Sequence, residues 1–128
     1  MSGTTPTMRT LAYFKEQGFD CAIVERFLSF AGKFGQRKDM FGFGDIVCMG
    51  NGRILAVQSC GQAFSEHDKK ITKDDYVAPL ALKWLQNGGE LTLIGWRKLR
   101  VKRGGKAMKW MPKIKEYTEA DFKTEEGI

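Results

Sequence analysis

Apolar residues change period several times along this chain, and each change marks an element. At positions 8, 11, 12 and 14 they keep helical spacing, which predicts a helix over residues 8–17 terminated by Gly18. Residues 19–27 have a β-branched centre and predict a strand. Residues 29–44, rich in Gly, Lys and Phe, predict a loop. Two strands follow at about 45–50 and 53–60, and residues 61–65 break the pattern. Residues 66–73 predict a short helix. A second helix, capped by Asp74 or Asp75, carries apolar residues at 77, 80, 81, 84 and 85, the stripe of a core-facing helix. Pro79 sits near its first turn, where proline is tolerated, and Asn87-Gly88-Gly89 ends it. Strands over 91–102 and 106–115 flank Arg103-Gly104-Gly105. In the first, Lys98, Arg100 and Lys102 share a face; in the second, Met108, Trp110, Pro112 and Ile114 alternate with Lys109, Lys113 and Lys115. This order predicts one α/β domain, a mixed central sheet with helices packed on it. Residues 1–7 are expected to be a flexible start and 116–128 a mobile acidic tail.

The two strands at 45–60 carry the first hint of chemistry. Asn51-Gly52 is the favoured dipeptide for a two-residue hairpin turn, because both central residues need positive φ. That turn pairs Gly50 with Arg53 and sets Asp45 directly opposite Gln58, on the same face, with Cβ atoms about 5 Å apart. A carboxylate and an amide then lie side by side at the open end of an apolar hairpin, a place to hold a metal ion or a phosphate.

Composition narrows the classes. The chain has 128 residues, 42% hydrophobic and 28% charged, which suits a single soluble domain with a real core. No apolar run is long enough to span a bilayer, and the N-terminus lacks a secretory apolar region, so no membrane partner is expected. The three cysteines form no Cys-x-x-Cys pair, which argues against a disulfide framework or zinc site and fits a reducing cytoplasm. A single histidine, His67, excludes mechanisms that need two. The net charge of +6 is unevenly spread: residues 91–115 carry nine Lys or Arg and no acid, and residues 116–128 carry five acids and one Lys. A clustered basic field suits a polyanion, most simply nucleic acid; the alternative is a solvated charged hairpin that keeps the protein soluble.

Taken with these features, several motifs resemble the PD-(D/E)XK nuclease superfamily, in an arrangement similar to archaeal Holliday junction resolvases and closer still to a group of small phage and prophage proteins. A helix ending Lys15-Glu16-Gln17-Gly18-Phe19 precedes a strand. A basic loop contains Arg37-Lys38-Asp39 and leads to Gly44-Asp45-Ile46-Val47 at the family's Asp position, and the next strand sets Gln58 where the family has Glu. Arg37-Lys38-Asp39-Met40-Phe41-Gly42-Phe43, Val57-Gln58 and Gly95-Trp96-Arg97-Lys98 look like the phage group's own signature. The resemblance covers about residues 8–115.

It implies a restriction-endonuclease-like core (α-β-β-β-α-β-β) and Mg²⁺- or Mn²⁺-dependent hydrolysis of phosphodiester bonds in branched or double-stranded DNA. It further implies a homodimer, as in resolvases that cut two strands symmetrically, at work in the cytoplasm, that of the host cell if phage-encoded. Carried onto this chain, Asp45, Gln58 and Glu25 are the catalytic candidates, and Asp45 and Gln58 the metal ligands. Arg37, Lys38, Lys69, Lys70, Arg97, Lys98, Arg100, Lys102 and Arg103 are the DNA contacts. The motif is degenerate: Gln58 replaces Glu, Cys60 stands where Lys would be, and Thr7 falls near the first helix's Glu position. Glu25 or Asp39 could supply a second carboxylate, and Lys38, Lys69 or Lys70 a displaced cation.

Each candidate has a plainer role. Asp45 could receive hydrogen bonds at a strand entrance, Gln58 could be a satisfied sheet glutamine, Cys60 a small apolar filler and His67 a surface histidine. Trp84 belongs to the core stripe, and Trp96 and Trp110 either fill the core or stack on bases. Besides an endonuclease, the residues allow a catalytically inactive nucleic-acid-binding member of the same fold, or an interaction module that docks through Phe34, Phe41 and Phe43.

Overall fold

A computed structural model of the chain describes residues 5–29 and 35–122. The first helix, α1 (Pro6–Glu16), starts two residues before the apolar pattern does, because Thr5 caps it: its hydroxyl accepts from the Met8 N–H at 3.1 Å, with Pro6 in the first turn. Strands β1 (Asp20–Ile23), β4 (Ile46–Gly50), β5 (Arg53–Cys60), β6 (Glu90–Arg100) and β7 (Met108–Glu116) form one sheet in the order β1-β4-β5-β6-β7. Only β5 and β6 run parallel. That pairing needs a crossover, supplied by α2 (Phe64–Lys73) and α3 (Val77–Gln86). The chain is therefore a single α/β domain with a five-stranded mixed sheet and, among the described residues, three α-helices. None of those helices is long and apolar enough to cross a membrane.

The sheet is covered on both faces. Phe14, Phe19, Ile46, Leu55, Val57, Ile94 and Trp96 form the core beneath α1. Phe43, Ala56, Ile71, Val77, Ala81, Leu91, Leu93 and Tyr117 form the core beneath α2 and α3. The predicted stripe at 77, 80, 81, 84 and 85 packs into this second core as expected. Asp74 supplies the cap of α3, accepting from the Tyr76 and Val77 N–H groups at 3.0 and 2.9 Å.

The hairpin is as the sequence predicts. Asn51 and Gly52 have φ of 53° and 76°, and Gly50 pairs with Arg53. On β5, Leu55 and Val57 turn toward α1, while Ala56, Gln58 and Cys60 turn toward α2 and α3.

Three expectations need correction. The strand predicted over 19–27 is broken: the N–H groups of Val24 and Glu25 both go to the Asp45 carbonyl, at 3.0 and 3.4 Å, so the ladder cannot continue. Beyond that kink, β2 (Arg26–Ser29) leaves the sheet and pairs with β3 (Gly35–Lys38), inside the segment expected to be a loop. Between Met40 and Gly44 the chain reverses tightly through Phe41 and Gly42, at φ 55° and 84°, which drives Phe43 fully into the core. Gly42 passes so close to α3 that a Cβ there would meet the Val77 side chain at 2.7 Å. Lastly, the acidic segment does not run free from residue 116. Tyr117 is buried, its hydroxyl donates to Asp68 of α2 at 2.6 Å, and a 3₁₀ helix (Glu119–Phe122) packs Phe122 against the same core.

One polar node sits inside the α1 core. Thr10 is fully buried and its hydroxyl donates to the Pro6 carbonyl at 2.8 Å, which leaves the oxygen to accept from Ser59 Oγ at 2.8 Å and Trp96 Nε1 at 2.9 Å. Trp96 is thereby a core residue. At the far edge of the sheet, Pro112 of β7 pairs with Trp96. Thr10→Val keeps the shape but strands the buried Trp96 Nε1–H and removes the acceptor of the half-buried Ser59 hydroxyl. Its expected cost is about 1–3 kcal/mol in urea unfolding, largely recovered by Thr10→Ser.

Candidate functional site

Asp45 enters β4 and Gln58 lies near the end of β5. The regular ladder ends at the Ile46–Val57 pair, and the two side chains meet beyond it: Gln58 Nε2 donates to Asp45 Oδ2 at 3.2 Å. The Ser59 N–H also donates to the carboxylate, at 3.2 and 3.3 Å to its two oxygens. A bulge makes this possible, since the Asp45 N–H goes to Val57 O at 3.0 Å although Ile46 is the residue in register with Val57. Both side chains are nearly sealed, Asp45 at 6% and Gln58 at 3% exposure.

Sealing a carboxylate has a cost. Burial pushes the Asp45 pKa up to about 7; the Ser59 N–H opposes this, and the charges of Asp39 and Glu25 add to it. Gln58 contributes a second signal. Its carbonyl oxygen, Oε1, is buried without a hydrogen-bond partner among the described residues. An acid held partly protonated beside an orphaned carbonyl oxygen is a pair of hard oxygen donors lacking a positive charge. By donor type the two residues could supply one carboxylate and one carbonyl oxygen to a Mg²⁺ or Mn²⁺ ion, which typically takes only one or two protein carboxylates. They do not build a closed cage: among the described residues, no three His, Cys, Asp or Glu side chains gather at metal-binding distance.

A cavity of about 590 Å³ lies next to this pair, lined among others by Arg26, Lys38, Asp39, Lys70 and Tyr76. Asp45 lies behind its wall. Val24, which also lines it, donates to the Asp45 carbonyl, and Asp39 acts on the Asp45 carboxyl through space. Three cations against one carboxylate make the opening suited to an anion.

The structure sorts the other candidates. Glu25 sits half-buried at the β1–β2 kink and reaches Asp45 by its backbone N–H and by its charge. Lys38 and Lys70 line the cavity, whereas Lys69 is exposed on α2 and does not. The backbone of Arg37 is in β3; its side chain, like Phe34, lies outside what is described. Cys60 is buried, its thiol pushed up to about 11 by burial first and Asp45 second, so it cannot serve as the missing cation. His67 is half-buried, and burial and Lys70 lower its pKa.

Arg97, Lys98 and Arg100 are exposed on the outer half of β6, and Lys102 and Arg103 at the turn beyond it. Alternation divides them, with Arg97 on the α2–α3 face and Lys98 and Arg100 on the α1 face beside Trp110, whose ring lies 3.6 Å from the Arg9 guanidinium. Because β6 runs parallel to β5 and continues five residues past the Cys60–Gly95 pair, this arm projects about 17 Å beyond the sheet end that carries Asp45 and Gln58. Arg26 and Ser59 escaped sequence reasoning. Arg26 had a signal, a charged pair with Glu25 interrupting an apolar strand; Ser59 had none, because it acts through its backbone.

Comparison with known proteins returns no matching family model, no matching curated protein and no matching solved structure.

The raised Asp45 pKa has a stability consequence. The folded chain holds a proton that the unfolded chain releases between about pH 4 and pH 7, so the native state loses ground as pH rises through that window. Urea unfolding of the wild type should weaken by about 2–3 kcal/mol from pH 5 to pH 8 on this account. Asp45→Asn, which keeps an acceptor for Ser59 and offers Gln58 a donor, should flatten that slope.

Proposed function

We propose that this chain is a DNA-processing protein of the PD-(D/E)XK nuclease-like type, which holds the phosphodiester backbone in the cavity in front of Asp45 and cuts it with Mg²⁺ or Mn²⁺. The observation that carries the proposal is the buried Asp45 carboxylate, held by the Gln58 amide nitrogen of the adjacent strand, with the Gln58 carbonyl oxygen buried and without a hydrogen-bond partner among the described residues. The order of elements supports it. With the β2–β3 excursion set aside, α1, β1, β4, β5, the α2–α3 crossover, β6 and β7 follow the α-β-β-β-α-β-β order that the resemblance implies.

In this scheme Asp45 and Gln58 contribute the protein's oxygens, and Glu25 and Asp39 deepen the negative potential around them. The divalent ion, when bound, polarises the phosphate and lowers the pKa of water. Lys70, Arg26 and Lys38 in the cavity hold the phosphate, and Lys70 takes the cationic role that buried Cys60 cannot fill. The arm of Arg97, Lys98, Arg100, Lys102 and Arg103 lies along the flanking duplex, with Trp110 available for stacking. Paired cuts across a branched duplex need two sites, so a homodimer accompanies the proposal.

One observation favours the alternative of DNA binding without cleavage: Gln58 and Cys60 stand where the resemblance implies Glu and Lys, and Cys60 is buried. Docking through a phenylalanine cluster loses Phe43, which is fully buried and packs on Trp84, but keeps Phe41, which is half exposed.

Linear, single-stranded and branched DNA, each with Mg²⁺ and with Mn²⁺, separate these outcomes. Nuclease function predicts cleavage that Asp45→Ala abolishes while binding persists. Lys98→Ala with Arg100→Ala should lower the slope of log affinity against log salt by about two. Cleavage that survives Asp45→Ala, or no DNA affinity at physiological salt, would refute the proposal.

A further inference from the structure

On the opposite side of the sheet from Asp45, two cysteines face each other. Cys21 of β1 and Cys48 of β4 are register partners in an antiparallel ladder, both are free thiols, and their sulfurs stand 3.0 Å apart. Backbone parity explains the closeness. Val24 donates to the Asp45 carbonyl in the same register, so counting back three residues on each strand makes Cys21–Cys48 a non-hydrogen-bonded pair. The hairpin turn leads to the same result. Gly50–Arg53 closes a two-residue loop, and alternation then directs the Cys48 backbone groups toward β5 and away from β1. Non-hydrogen-bonded partners are the closer kind, with Cα atoms about 4.5 Å apart, inside the range a disulfide spans.

The two sulfurs differ in access. Cys48 is sealed in the α1 core. Cys21 is partly exposed and lines a surface cavity of about 310 Å³ with Leu11, Lys15, Phe19 and Asp20. Burial also pushes the Cys48 thiol well above its ordinary range, with Cys21 adding to the shift. Cys60 lies on the other face of the sheet and has no part in the pair.

We propose that Cys21 and Cys48 form a reversible dithiol–disulfide site, in which Cys21 meets a small-molecule disulfide in the surface cavity and Cys48 resolves the adduct. The Cys21 thiolate attacks one sulfur of the oxidant, forming a mixed disulfide and expelling a thiolate that takes up a proton. Cys48, giving up its proton, then attacks Cys21 Sγ and expels the second thiolate. Two protein thiols lose two electrons and two protons, and one small disulfide becomes two thiols. The closed form ties edge strand β1 to the strand that Asp45 precedes.

Oxidised glutathione is the probe. In the wild type, the expected product is a chain lighter by two hydrogens and not cross-linked to another, with free thiols counted after unfolding reduced from three to one, a peptide map joining Cys21 to Cys48, and full reversal by dithiothreitol. Cys48→Ala should stop at one glutathionyl group on Cys21, and Cys21→Ala should leave Cys48 unmodified. A wild type that keeps both thiols, accumulates only the glutathione adduct, cross-links between chains or engages Cys60 would overturn the proposal.

Discussion

The hairpin between β4 and β5 sets the register on which every other element depends. Its turn has no freedom of length, since Asn51 and Gly52 both take positive φ and Gly50 must then face Arg53. From that pair outward, Val57 is committed to α1, Ala56 and Cys60 to α2 and α3, and Gln58 to Asp45. A slip of one residue would exchange the two faces, pushing Gln58 into the apolar core under α1 and Val57 toward the carboxylate. The apolar burial on both sides of β5 is what opposes such a slip. The meeting of Asp45 with Gln58 rests on packing over the whole hairpin together with the local bulge that turns the Asp45 N–H to Val57 O.

The same register explains why an unfavourable carboxylate persists. Asp45 receives the Ser59 N–H and the Gln58 amide, yet two further acids act on it and little solvent reaches it. Structural convenience alone would favour Asn there. The arrangement is better understood as a stored deficit of positive charge, adjacent to a cavity that already gathers Arg26, Lys38 and Lys70.

How much of this was legible depended on how local the cause was. The Asn-Gly turn and the α3 stripe follow from residues close in sequence, and both appear; Asp45 and Gln58 do meet, but through a bulge and not as direct register partners. The break at Val24–Glu25 is imposed by a carbonyl twenty residues downstream, so nothing in the apolar run announces it. Strand β3 is Gly-Gln-Arg-Lys, with no alternation to find, and exists because β2 has been expelled from the sheet. Tyr117 looked like part of a charged tail because its partner, Asp68, is forty-nine positions away. Charge counting located the basic segment but could not show that strand alternation splits its cations between two faces.

Pro112 bears on how copies of this chain can meet. The ladder between β6 and β7 is bracketed by Val101 N–H to Ala107 O and Tyr117 N–H to Leu91 O, which turns the odd-numbered residues of β7 inward and directs the nitrogen of Pro112 outward. The outer rim of the sheet therefore lacks a donor in mid-strand, and Lys109 and Lys113 flank the gap. An incoming strand would find neither a continuous row of amides nor a neutral border. The exposed Met108, Trp110 and Met111 therefore sit on a rim that resists strand addition, and a symmetric assembly would not extend the sheet through β7, which leaves β1 as the other edge.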